Sequence, residues 1–200
     1  MLLQKLNQAL DVLTALRNDG RIGGFALVGG LAVSAWSPPR ATMYVDLLVR
    51  VEADNLQHLV QALCAAGMNA VLRRGGFDDP VPCLIRADAL DIIVATKQYE
   101  AEAIEQSIAV NIAGRAIPVA SPEYLIILKL KAGGPRDLLD VQELLAANLV
   151  DRVLLAGLAT RYRVELPREG VESRSCQELI WRGRVENVAV YRSASDRWKD

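Results

Sequence analysis

The spacing of apolar and polar residues changes several times along the chain and predicts a series of helices and strands. Leucines at positions 3, 6, 10, 13 and 16 recur at helical spacing, and Gly20 closes this first predicted helix. The elements predicted next are strand 25–28, helix 30–36, strand 43–49, helix 53–67 and strand 70–73. Pro38 and Pro39 end the second helix, because proline lacks the amide hydrogen that a helix interior requires.

The second half of the chain begins with strand patterns and ends with helical ones. The predicted elements are strands 81–85 and 89–94, helix 99–106, the apolar runs 109–112 and 116–119, and helices 121–133, 135–148 and 151–161. The first two strands are close enough to pair as a hairpin, whereas the two later runs form either a small hairpin or one bent strand. Ser121 and Asp151 are the expected caps of their helices, because their side chains can accept hydrogen bonds from free amides.

This order of elements predicts an α+β fold. A mixed α/β core is expected over residues 1–120, and a helical region packed on that core over residues 121–162. The pattern weakens over residues 163–200, where isolated apolar residues alternate with charged and small ones. We expect this extension to hold at most one helix and one strand and assign it no function.

Two aspartates inside apolar strands are the first candidates for chemistry. Asp46 and Asp91 each interrupt a β-branched run, and burying an isolated carboxylate is costly. Because side chains alternate along a strand, each acid points away from its most apolar neighbours. If the two strands are adjacent, the acids can share one Mg²⁺ ion; alternatively, Asp46 pairs with Arg40 or Arg50 and Asp91 with Arg86.

A glycine turn precedes these acids. Val28-Gly29-Gly30 joins the first strand to a helix, so backbone amides lie at the positive end of that helix and no side chain blocks the approach of a phosphate. Such a turn also serves as a plain tight connection, so on its own it indicates phosphate binding only weakly.

Composition narrows the class of protein. The formal net charge of −1 argues against nonspecific electrostatic binding to nucleic acid. Cys64, Cys83 and Cys176 include no closely spaced pair and are expected to be buried thiols in a reducing cytoplasm. The single histidine, His58, lies off the apolar stripe of its helix and is expected at the surface. The N-terminus lacks the apolar block of a signal peptide and no run is long enough to span a bilayer, which predicts a cytoplasmic protein.

Taken together, the motifs resemble the nucleotidyltransferase fold of the polymerase-beta superfamily. Within that superfamily, they resemble the branch of the abortive-infection toxin-like nucleotidyltransferases and their uncharacterised bacterial relatives. The similar segments are VGG at 28–30, RATMYVDLLV at 40–49, LDII at 90–93, SPEYLIILKLKAG at 121–133 and RDLLDV at 136–141. The resemblance implies a mixed sheet flanked by helices and a transferase that moves a nucleoside monophosphate from a nucleoside triphosphate (NTP) to an acceptor hydroxyl.

The resemblance also assigns roles to residues. It implies that Mg²⁺ is held by Asp46 and Asp91, that Lys129 points at the triphosphate, and that the nucleotide-binding residues are Gly29, Gly30, Arg40 and Thr42. Asp137 and Asp140 match acidic positions of the following helix, where they could equally stabilise the start of that helix. The acceptor is left open among tRNA, a protein hydroxyl and a small molecule. A protein partner of a toxin-antitoxin or phage-defence pair is the alternative setting, with the chain as a non-catalytic nucleotide-binding or regulatory module.

One position departs from the pattern. The first acid of the expected metal-binding pair falls at position 44, where this chain has tyrosine, and a phenol is neutral at pH 7. Loss of one carboxylate should weaken a two-metal site severely. The chain therefore works slowly with one ion, binds nucleotide without turning it over, or has lost both abilities. Asp78 or Asp79 of the following glycine loop could supply a replacement acid.

Overall fold

Residues 2–42, 44–76 and 81–167 are described by a computed structural model of the chain. Within them the fold is a mixed α+β arrangement, as the sequence predicts. The helices are α1 (Leu2–Asn18), α2 (Gly29–Trp36), α3 (Ala53–Ala65), α4 (Gln98–Glu105), α5 (Pro122–Ala132), α6 (Pro135–Ala146) and α7 (Arg152–Tyr162). The strands are β1 (Gly24–Val28), β2 (Val45–Arg50), β3 (Ala70–Arg74), β4 (Cys83–Ala87), β5 (Leu90–Val94), β6 (Ile108–Ile112) and β7 (Arg115–Val119).

The seven strands form one sheet in the order β3-β4-β5-β2-β1-β7-β6. β2 runs parallel to β5, and β1 runs parallel to β7, whereas every other neighbouring pair is antiparallel. The predicted β4–β5 hairpin is confirmed, and residues 108–119 form a hairpin rather than one bent strand. This order places β2 at the centre of the sheet, between β1 and β5.

The alternation within β2 explains why a carboxylate can lie in a central strand. Val45, Leu47 and Val49 are fully buried. On the opposite parity Leu48 is buried too, whereas Asp46 and Arg50 are only partly buried. The apolar side therefore supplies the burial that stabilises the strand, while the other side keeps one acidic position within reach of solvent. Met43, the first residue of the predicted strand, lies outside the described residues.

Caps define the starts of the last helices. The Asp151 carboxylate accepts hydrogen bonds from the amides of Val153 and Leu154, so its predicted capping of α7 is confirmed. The prediction for Ser121 is wrong, because its hydroxyl donates instead to Glu123 Oε2, at 2.7 Å, and caps no amide. Proline at the first position of α5 still starts that helix with the expected backbone geometry.

A single carboxylate ties α4 to the last helices. Glu102 accepts hydrogen bonds from the hydroxyls of Tyr124 in α5, at 3.0 Å, and Tyr162 in α7, at 2.5 Å, and it also pairs with Arg161. These contacts join the core to the helical region. The proposed boundary between residues 1–120 and 121–162 stays a prediction.

Several smaller predictions can be compared with the structure. His58 is exposed, as expected, but Cys64 is also exposed and Cys83 only partly buried, so the prediction of buried thiols is wrong for Cys64.

Trp36 packs against the core and donates from its indole nitrogen to the carbonyl of Ala120, at 2.9 Å. Cys176, Asp78, Asp79 and nearly all of the 163–200 extension lie outside the described residues. None of the described helices combines the length and apolar character needed to span a bilayer.

Candidate active site

Asp46 and Asp91 occupy directly opposed positions on neighbouring parallel strands. Asp46 of β2 pairs in register with Asp91 of β5 on one side and with Val28 of β1 on the other. Opposed residues of paired strands point to the same side of a sheet, so the two carboxylates converge. The conditional prediction that these strands are adjacent is therefore confirmed, and the acids lie beside the end of β1 where the glycine turn begins.

The Asp46 carboxylate is in an unusual electrostatic environment. Burial is the main reason that the pKa of Asp46 is raised to about 6, and the negative charge of Asp91 raises it further. The cations Lys129 and Arg40 act in the opposite direction but do not cancel that rise. Among the described residues, Asp46 has no hydrogen-bond or ion-pair partner, so its charge remains available to a ligand.

Asp91, by contrast, is already engaged. Arg86 Nε donates to Asp91 Oδ1 at 2.9 Å, and Arg86 Nη2 donates to Asp91 Oδ2 at 3.2 Å. The alternative prediction of an Asp91–Arg86 ion pair is confirmed, but the alternative for Asp46 is wrong. Arg40 and Arg50 pair with Asp140 and Glu105 instead, and leave Asp46 without a cation in direct contact.

The glycine turn and Asp46 fit closely together. Gly29 has a φ of +67°, and a Cβ atom added there would lie 1.9 Å from Asp46 Oδ2. At Gly30 an added Cβ would lie 2.7 Å from Arg40 Nη2. The two glycines therefore make room for a carboxylate and a guanidinium at the start of α2, and they bring an anion, a cation and free helix amides to one place.

A second group of charges lies next to this pair. Arg40 donates two hydrogen bonds to Asp140, at 2.7 and 2.8 Å, and Lys129 Nζ contacts Asp137 and Asp140 at 2.8 and 2.7 Å. Only 2% of the Asp140 side chain is exposed. Although burial opposes it, hydrogen bonds from Arg40 and Lys129 bring the pKa of Asp140 below its ordinary value. We call these four residues, Arg40, Lys129, Asp137 and Asp140, the neutral cluster.

The neutral cluster contains two of the predicted binding residues in a form that the sequence does not reveal. Lys129 and Arg40 both influence the pKa of Asp46, so they lie within electrostatic range of the acid pair. Asp137 also accepts a hydrogen bond from the Gly134 amide, at 3.2 Å, which is the predicted role at the start of α6. Asp140, in contrast, is buried and pairs with Arg40 and Lys129, and among the described residues no amide at the start of α6 donates a hydrogen bond to it.

Thr42 and Tyr44 lie at the entrance of β2. The Thr42 hydroxyl donates to the carbonyl of Tyr44 at 2.9 Å, which shapes the backbone before the strand. The Tyr44 side chain is exposed, by 47%, and lies close enough to Arg86 to affect its pKa. A phenol therefore stands at the mouth of the acid pair, where the resemblance would place a third carboxylate.

The donor set fits one hard cation. Mg²⁺ prefers oxygen ligands and is commonly held by one or two carboxylates together with substrate phosphates, which matches an unpartnered Asp46 beside Asp91. The described part of the chain has no group of three or more His, Cys, Asp or Glu residues that could hold a metal by themselves. The described residues therefore fit a single ion that is completed by a ligand, and among them there are not enough carboxylates for two ions.

Comparison with known structures identifies the fold. The chain is similar to the antibiotic-resistance factor ANT(2'')-Ia, in a solution structure with a TM-score of 0.51, at 17% identity over 82% of this chain and 95% of that one. It is also similar to the crystal structure of ANT(2'')-Ia in complex with adenylyl-2''-tobramycin, with a TM-score of 0.50, at 17% identity over 77% and 94% of the two chains. The chain has the nucleotidyltransferase fold. No protein-family profile matches the sequence, and no curated protein matches it significantly.

Proposed function

We propose that the chain binds a nucleoside triphosphate and one Mg²⁺ ion at Asp46 and Asp91, and transfers the nucleoside monophosphate slowly to an acceptor hydroxyl. The observation that carries this proposal is the Asp46 carboxylate. It is largely buried, has no direct partner among the described residues, and lies between Asp91 and the Gly29 turn on a nucleotidyltransferase fold. An unsatisfied buried acid is costly, and a bound cation would remove that cost.

The remaining residues would hold the triphosphate. Gly29 and Gly30 let phosphate oxygens approach the amides at the start of α2, where the helix end favours negative charge. Arg40 and Lys129 lie within electrostatic range and can add charge-assisted hydrogen bonds, although each already has an acidic partner in the neutral cluster. Thr42 fixes the backbone at the entrance of β2 through its bond to Tyr44.

Transfer itself is a displacement at the α-phosphorus. The acceptor oxygen forms the new bond to phosphorus, the bond to the pyrophosphate oxygen breaks, and the hydroxyl proton passes to solvent. When bound, Mg²⁺ supplies neutralising charge on the phosphate oxygens. The residues of the chain contribute positioning and further charge, which is the larger part of catalysis in this type of reaction. The crystal structure of ANT(2'')-Ia with adenylyl-2''-tobramycin makes a small-molecule hydroxyl the first acceptor to test, followed by tRNA and protein hydroxyls.

Tyr44 favours a second candidate function. An exposed phenol in place of an acid leaves the described site with two carboxylates, one of which is engaged by Arg86. A chain with this site could bind NTP without transferring it, as the regulatory module of a toxin-antitoxin or phage-defence pair. The two functions differ in transfer but share triphosphate binding.

Both candidate functions require triphosphate binding, whereas a chain that has lost both abilities would bind no triphosphate. Each of the four NTPs is added at about 100 times its dissociation constant with and without Mg²⁺, and the unfolding temperature is measured. Ligand at that excess stabilises by about 2.7 kcal/mol, which corresponds to roughly 5 to 10 °C for a chain of this size. We expect the shift to require Mg²⁺ and to disappear in Asp46→Asn and Asp91→Asn.

Asp11→Asn is the matched control, because Asp11 is an exposed acid paired with Arg115. It should keep the full shift. Incorporation of label from an α-labelled NTP then distinguishes transfer from binding alone. No shift with any triphosphate in the unmodified protein would contradict both candidates, whereas a shift that persists without Mg²⁺ would leave only the binding module.

A further inference from the structure

Arg86 is the strongest feature of the site that the proposed function does not yet use. It lies on β4 directly opposite Asp91 and donates two parallel hydrogen bonds to that carboxylate, at 2.9 and 3.2 Å. This fork-to-fork arrangement fixes the guanidinium plane against the acid. Arg86 therefore holds a permanent positive charge against the Asp91 carboxylate, which is the cross-strand neighbour of Asp46.

The other side of the guanidinium is open. The Arg86 side chain is 60% exposed, while the Asp91 side chain is only 18% exposed. Arg86 lines a groove of about 530 Å³ whose other walls include Val71, Leu84 and Arg73. Of its five N–H donors, two are used by Asp91, and the described residues supply no partner for the other three. These donors can reach an anionic oxygen that enters from the groove.

The charge requirement of the reaction explains why such a group matters. Phosphoryl transfer by two metal ions depends on positive charge at both the attacking and the leaving oxygen. The described site fits one dication, because Tyr44 supplies no carboxylate for a second. Two dications on three carboxylates leave one net positive charge. One dication and one guanidinium on two carboxylates leave the same net charge.

We propose that the guanidinium of Arg86 takes the place of a second cation, so that this site handles a triphosphate with a single Mg²⁺ ion. The inference rests on the proposed function and deepens it, because it gives the site a different cation requirement. Arg86 contacts the triphosphate or the developing charge directly, and its pairing with Asp91 keeps it in position. This arrangement also accounts for the neutral side chain at Tyr44. A third carboxylate there would cancel the one net positive charge left by Mg²⁺ and Arg86.

The first test removes the charge. Arg86→Gln should weaken the affinity for a non-hydrolysable triphosphate about tenfold or more in the presence of Mg²⁺, and Arg86→Lys should restore part of the loss. Arg115→Gln is the matched control, because Arg115 is also a strand arginine paired with an aspartate, but it lies on β7, away from the acids. Titration calorimetry gives the affinities, and the unfolding temperature without ligand verifies that each variant is folded.

The second test measures whether a new carboxylate at position 44, with the additional metal ion it would hold, compensates for loss of the Arg86 charge. Tyr44→Asp combined with Arg86→Gln should bind two Mn²⁺ ions per triphosphate and regain most of the lost affinity, whereas the unmodified protein should bind one. Electron paramagnetic resonance of free Mn²⁺ counts the ions. Equal affinities for Arg86→Gln and Arg115→Gln would overturn this inference alone, as would two Mn²⁺ ions in the unmodified protein. Absence of triphosphate binding by the unmodified protein would overturn the proposed function as well.

Discussion

The acid pair and the neutral cluster each contain two aspartates, but Asp46 of the pair and Asp140 of the cluster lie in opposite electrostatic environments. In the neutral cluster, buried Asp140 is hydrogen-bonded to both Arg40 and Lys129, and its pKa is lowered. In the acid pair, Asp46 has no such partner and its pKa is raised to about 6, first by burial and then by Asp91. A carboxylate whose charge is satisfied contributes to the fold, and one whose charge is not satisfied is available to a ligand.

The difference follows from where the acids come from in the chain. The register of β2 places Asp46 between Val28 of β1 and Asp91 of β5, so neither neighbouring strand offers it a cation at that position. Asp140 lies on α6, next to α5, and meets both a lysine of α5 and an arginine that precedes β2. Packing of α5, α6 and α2 against one another thus assembles the neutral cluster, whereas strand pairing alone assembles the acid pair.

The largest expected effect comes from breaking the neutral cluster. Asp140→Ala leaves Arg40 and Lys129 largely buried with fewer acidic partners, and removal of one member of a buried ion pair costs about 3 kcal/mol or more. Urea unfolding should show this loss as a lower midpoint. Asp11→Asn, an exposed member of an ordinary surface pair, should change the unfolding free energy by less than about 0.5 kcal/mol. Equal losses in the two variants would mean that the cluster is not a structural unit.

A smaller effect is expected when the acid pair is displaced without removal of its charge. Gly29→Ala forces a left-handed backbone on alanine and places a methyl group on the Asp46 carboxylate, so it should cost about 2 kcal/mol. Gly67→Ala is the matched control, because Gly67 also has a positive φ but has no atom near the added methyl group. Unfolding free energies should differ between the two variants, and only Gly29→Ala should impair Mg²⁺-dependent triphosphate binding. The comparison fails if Gly67→Ala impairs binding equally.

The smallest effect on stability, with the opposite sign, is expected from Asp46→Asn. A carboxyl group whose folded pKa is raised from 3.8 to about 6 destabilises the metal-free fold progressively as the pH rises between those values, and the full cost remains above them. Asparagine removes that cost, so the variant should be more stable at pH 8 by about 1 to 2 kcal/mol after allowance for solvent screening. At pH 3 this gain should be absent. Thermal unfolding in EDTA at both pH values measures it, and a gain that is equal at pH 3 and pH 8 would refute the electrostatic explanation.

The part of this site that follows from strand periodicity could be predicted from the sequence. Alternation fixed the side on which Asp46 and Asp91 point, and the apolar character of both runs made adjacent central strands a natural arrangement. The glycine turn could also be recognised locally, because two adjacent glycines separate a predicted strand from a predicted helix. The sequence could not show whether the apolar runs on either side of residues 112–115 form a hairpin or one bent strand, because two short apolar runs are compatible with both.

Contacts between distant segments lay beyond prediction. Nothing in the spacing of residues links Arg40 to Asp140, which are separated by 100 positions, and helix packing alone brings them together. Ser121 illustrates a different limit, since a capping residue has several possible partners and the nearby Glu123 competes with the helix amides. The Arg86–Asp91 pair was foreseen only as one of two alternatives, because a strand pattern cannot distinguish a structural ion pair from a ligand site.

The close fit of Gly29 and Asp46 has a consequence for how this chain can change through mutation. The carboxylate occupies the space that any side chain at position 29 would need, so the two positions are not free to vary independently. A lineage that lost the acid would be released from that steric conflict and could accept asparagine or aspartate at position 29, which tolerate the left-handed backbone. A lineage that lost the glycine would have to give up the acid as well, whereas loss of the acid would still permit glycine, so the dependence between the two positions runs in one direction.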